Sequence, residues 1–112
     1  QVNQVIECTR YAGGEIVNAM QSSAFFSPAA AAIEMTKAYL NDSHRLLPCS
    51  TYLTGHYGIQ GYYIGVPVII NAKGVEKVLE IPLRDDELKM FHRSVQSVRN
   101  TVDELAKLMP SN

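Results

Sequence analysis

The sequence predicts an α+β fold: two helices, then an antiparallel sheet of about three strands packed with helices, then one long C-terminal helix. Three observations predict it. Apolar residues recur at three- and four-residue spacing over 2–20 and again after position 85. The period shortens between Arg45 and Ile81, where β-branched and aromatic residues concentrate. Finally, Asn71-Ala72-Lys73-Gly74 is too short for a parallel crossover, which takes about a dozen residues, so the strands around it are antiparallel.

The first helix is expected over 2–20, where Val2, Val5, Ile6, Ile16, Val17 and Met20 share one face. Gly13-Gly14 interrupts that face and predicts a bend or a close approach of a neighbour. Residues 21–26 read as a loop. Ser27-Pro28 is expected to start the second helix, because Ser can cap free amides and Pro at the first helical position has no N–H to lose. Its opening, Ala29 to Ala32, has side chains small enough for a backbone or ligand to come near, and Asn41-Asp42-Ser43 should end it.

Strands are expected over 45–53, 62–71 and 75–81, with Gly74 placed where the hairpin needs a positive φ. In the last third, Leu88, Phe91, Val95, Val98, Val102, Leu105 and Met109 form one narrow apolar seam, able to pack on the sheet or on another subunit. Asp85, Asp86 and Glu87 open that helix, where negative charge complements the helix dipole.

Composition narrows the classes of function. With 112 residues, 46% of them hydrophobic and 19% charged, the chain is suited to one globular domain. Ten basic residues against eleven acidic ones give a net charge of −1 and no basic stripe, so nucleic acid is not an expected partner. The longest apolar run, Tyr62 to Ile70, is broken by Gly65 and Pro67 and is too short to span a bilayer. Cys8 and Cys49 lack any Cys-x-x-Cys spacing and are expected to be free thiols in a reducing, cytoplasmic compartment. Asn41-Asp42-Ser43 matches a glycosylation sequon but carries no weight without a secretory signal. The start at Gln1, without Met, leads to the expectation of a fragment or a processed product.

First principles find no catalytic constellation. Gly55, Gly58 and Gly61 lie between strands and suit tight turns rather than a phosphate loop. Cys49 with His44 or His56 as base is conceivable, but a Cys beside Pro48 in a strand is more often a small buried hydrophobe. His56 and His92 show no metal-ligand spacing, and no metal is expected.

Several segments, taken in order, carry a resemblance. They are Thr9-Arg10, Gly13-Gly14-Glu15-Ile16-Val17, Ser23-Ala24-Phe25-Phe26-Ser27-Pro28-Ala29-Ala30 and Ala38-Tyr39-Leu40-Asn41-Asp42. Leu47-Pro48-Cys49-Ser50, Gly55-His56-Tyr57-Gly58, Gly65-Val66-Pro67-Val68-Ile69-Ile70 and Gly74-Val75-Glu76-Lys77-Val78 follow. In this order and spacing the chain resembles the C-terminal domain of the lactate/malate dehydrogenase family over essentially its whole length, 1–112.

The resemblance implies reversible, NAD-linked oxidation of a 2-hydroxy acid, with hydride passing to nicotinamide while a histidine takes the hydroxyl proton. It implies that this histidine, its orienting aspartate, the substrate-binding arginines and the Rossmann half precede the segment; none of their motifs occurs in these 112 residues. Such a chain is expected to be inactive alone.

The resemblance also sets Ser23 and Ala24 beside the substrate and Pro28 near the nicotinamide. Ala24 falls where lactate-type members usually carry threonine, so the malate/oxaloacetate side of the family is expected. Lactate specificity is the alternative, as is a non-catalytic folding or oligomerisation module. Ser23 and Ala24 also simply suit a tight loop before a helix. A homo-oligomer, dimer or tetramer, is expected, since faces that normally meet the cofactor half or a sister subunit would be exposed.

Overall fold

The computed structural model describes residues 2–109. Its elements are α1 (Val2–Met20), α2 (Phe26–Leu40), β1 (Arg45–Thr54), a 3₁₀ turn (His56–Gly58), β2 (Gln60–Asn71), β3 (Gly74–Val78) and α3 (Asp85–Leu108). The α+β architecture matches the sequence reading. The chain divides into two compact units at Lys37/Ala38, inside α2.

In the first unit, α1 runs as a single helix through Gly13-Gly14, and the space a Cβ would occupy at either glycine is open. The close approach expected there is therefore not seen among the described residues. Thr9 Oγ1 donates back to Val5 O within α1 at 2.8 Å, and Gln21 Nε2 donates to Asn18 O at 2.6 Å, satisfying a carbonyl at the end of the helix. The start of α2 differs from expectation by two residues. Ala29 N donates to Phe25 O at 3.0 Å, so Phe25 occupies the cap position and Pro28 is the third helical residue. Pro28 costs nothing there, because the amides of the first turn have no partner within the helix.

In the second unit the sheet order is β1-β2-β3, antiparallel throughout. Alternation sorts its faces: Leu47, Cys49, Thr51 and Leu53 of β1 lie opposite Tyr62, Ile64, Val66, Val68 and Ile70 of β2 on the inner face. The core gathers Ala38, Cys49, Leu53, Ile59, Ile64, Val66, Val68, Ile70 and Val95, with Leu53 and Val68 fully enclosed. The apolar seam of α3 supplies Val95, flanked by the half-buried Phe91 and Val98. Phe91 meets the Tyr57 ring at 5.1 Å, and the Arg99 guanidinium lies 5.3 Å over Tyr62. Beyond Val98 the seam emerges, leaving Val102, Leu105 and Met109 exposed.

The strand expected over 75–81 stops at Val78, and proline is the reason. Leu79 N donates to Pro67 O at 2.9 Å, so the backbone edge of Pro67 faces Leu79, where the reciprocal bond would need an N–H that Pro67 lacks. The Tyr57 hydroxyl takes its place: it donates to Leu79 O at 2.9 Å and accepts from Ile81 N at 2.9 Å. Tyr57 N–H donates in turn to the Glu80 carboxylate. These contacts hold 79–81 against the 3₁₀ turn in place of a ladder.

Two irregularities re-aim the strands. A register shift between Tyr52 and Thr54 accompanies Gly61 at φ 90°, and a second sets Ile69 against Lys77 but Ile70 against Val75, leaving Glu76 as the extra residue. The hairpin loop has Gly74 at φ 101°, in the left-handed region the sequence called for.

Candidate functional site

The segment that the sequence singles out, Ser23, Ala24 and Pro28, lies in the first unit as one short stretch. Ser23 and Ala24 sit in the loop between α1 and α2, and Pro28 follows within the first turn of α2. The loop closes tightly: Phe25 N donates to Ser23 O at 2.9 Å, carrying the chain around Ala24 just before Phe25 O accepts the first helical bond. Ala24 is half-buried, whereas Ser23 and Pro28 are exposed. The Phe25 and Phe26 rings meet at 4.5 Å and remain largely open to solvent.

No residue between Gln21 and Ala32 titrates. The stretch can therefore shape a site, offer Ser22, Ser23 and Ser27 hydroxyls, and present an apolar wall formed by Pro28 and the small side chains after it, but it cannot move a proton at neutral pH. Any acid–base step at this loop needs groups from elsewhere.

The second unit holds the other candidates and separates them. Cys49 faces the core, and burial pushes its thiol pKa up, which keeps it protonated and unreactive. His44, considered as its base, is engaged elsewhere: Nδ1 lies 2.6 Å from Glu76 Oε2 and Nε2 lies 3.6 Å from Asp42 Oδ1. Glu76 also accepts from Asn71 Nδ2 at 3.2 Å, and Asp42 Oδ1 accepts from Ala72 N at 2.9 Å. This cluster ties the turn before β1 to the β2–β3 hairpin and accounts for left-handed φ values at Asp42 (49°) and His44 (47°). Spacing alone offers no signal for it, because Glu76 and His44 lie 32 positions apart and meet only in the folded chain.

His56 belongs to the 3₁₀ turn, and its Nδ1 is enclosed without a hydrogen-bond partner among the described residues. Gly55, Gly58 and Gly61 all have positive φ, as turn residues should. Asp85, Asp86 and Glu87 fill the first turn of α3, where Glu87 Oε2 accepts from Arg84 N at 2.9 Å and the Arg84 guanidinium lies 3.3 Å from Asp86. Among the described residues no group of three or more His, Cys, Asp or Glu is placed to hold a metal ion. None of the helices there is long and apolar enough to cross a membrane.

The two thiols offer a direct check on this arrangement. In the folded 112-residue chain, exposed Cys8 is expected to react with an aromatic disulfide reagent at least roughly tenfold faster than Cys49. Denaturant should abolish the difference. Equal rates in the folded chain would contradict the burial of Cys49.

Comparison with known proteins places this chain in a family. The family model for the lactate/malate dehydrogenase alpha/beta C-terminal domain matches residues 1–109. Malate dehydrogenase 1 of Anaeromyxobacter dehalogenans (strain 2CP-C) is 51% identical over 105 residues, covering 93% of this chain and 34% of the relative. The solved malate dehydrogenase of Salinibacter ruber superposes with a TM-score of 0.92 at 45% identity, over 96% of this chain and 35% of that one. The lactate dehydrogenase of Eimeria maxima, solved with NADH and oxamate, superposes with a TM-score of 0.91 at 37% identity, over 96% and 34% of the two chains. The chain thus spans about a third of the length of the relatives it matches. It belongs to the lactate/malate dehydrogenase family and corresponds to that family's alpha/beta C-terminal domain.

Proposed function

We propose that this chain is the C-terminal, substrate-side part of an NAD-dependent malate dehydrogenase, interconverting malate and oxaloacetate. The reading rests on Ala24, a half-buried small residue at the turn of the α1–α2 loop, which the family resemblance sets where lactate-type members usually carry threonine. A methyl group there leaves room for the second carboxylate of a C4 acid. The naming of the curated relative as a malate dehydrogenase supports the same choice.

NAD, when bound, supplies the hydride acceptor of the reaction. What these residues can offer it fits: exposed Pro28 and the small side chains of Ala29 and Ala30 present an uncharged surface that a flat ring can approach. Ser23 and Ala24 would limit the space next to the reacting carbon. The proton-transferring histidine, its aspartate, the substrate arginines and the Rossmann half would come from the rest of the longer protein. The isolated 112 residues are accordingly expected to show no oxaloacetate-dependent NADH oxidation.

The test is a substrate panel on the full-length enzyme. Oxaloacetate should be reduced with a higher kcat/KM than pyruvate, and Ala24→Thr should lower the oxaloacetate value by about tenfold or more, the scale on which small steric changes in a pocket discriminate substrates. Preferential turnover of pyruvate would overturn the malate assignment in favour of lactate.

The proposal extends to assembly and setting. Val5, Ile6, Ile16 and Val17 are exposed along α1, a surface that favours a homodimer or homotetramer. Light scattering of the full-length enzyme is expected to give a multiple of the protomer mass at micromolar concentration; monomer at every concentration would contradict this. The free thiols of Cys8 and Cys49 accord with a reducing, cytoplasmic setting.

A further inference from the structure

We draw no further inference here: the strongest candidate, the apolar outer face of the β1–β2 pair bearing Leu46, Tyr52, Tyr63 and Ile69, carries nothing because nothing in the structure shows what covers it.

Discussion

Leu53→Ala is expected to destabilise the chain by about 3 kcal/mol, the usual scale for truncating an enclosed leucine. Leu53 is 0% exposed and lies on the inner face of β1, where that strand and β2 shift register. A loss of this size is a large share of the roughly 5–15 kcal/mol that holds a domain together. Thermal unfolding followed by circular dichroism should shift by roughly 10 °C. Leu46→Ala, on the outer face and 56% exposed, is the comparison and should change stability by under about 0.5 kcal/mol. Equal losses from the two variants would show that the inner face is not the one that stabilises the sheet.

Tyr57→Phe carries the second large expectation, a loss of about 2 kcal/mol from a single oxygen atom. The ring would keep its place against Phe91, 5.1 Å away, so packing is preserved. The hydroxyl would not. Leu79 O would lose its donor, Ile81 N its acceptor, and Pro67 has no amide with which to compensate. Urea unfolding should measure the loss, and hydrogen exchange should show the Ile81 amide opening faster in the variant. Tyr63→Phe serves as control, since Tyr63 is 65% exposed and its hydroxyl can bond to water. If Tyr57→Phe is as neutral as Tyr63→Phe, the hydroxyl is not what holds 79–81.

Helix and strand placement were legible in the sequence wherever one periodicity ran without interruption. The seam from Leu88 to Val98 and the alternation from Tyr62 to Ile70 both lie where the spacing put them. Boundaries set by a remote partner were not legible. The end of β3 depends on Pro67, twelve positions before Leu79, and on a tyrosine in another turn; no local pattern around Leu79 records either. The start of α2 lies two residues before the point Ser27-Pro28 predicts, because that pair has the right chemistry for a cap but Phe25 fills the position through its carbonyl alone. The candidate site was legible through family resemblance only. Ser23, Ala24 and Pro28 have no titratable group and no ligand spacing, so their residue chemistry does not mark them out.

The cross-strand pair Pro48–Pro67 has a consequence for how this sheet meets other chains. Because Pro67 turns its backbone edge toward Leu79, its partner Pro48 must turn its own away from β2, toward the side of β1 that has no strand partner among the described residues. A strand docking along that side would meet a missing donor midway along its ladder. A ten-residue edge strand would otherwise be a template for edge-to-edge aggregation, and one imino acid near its middle blunts it.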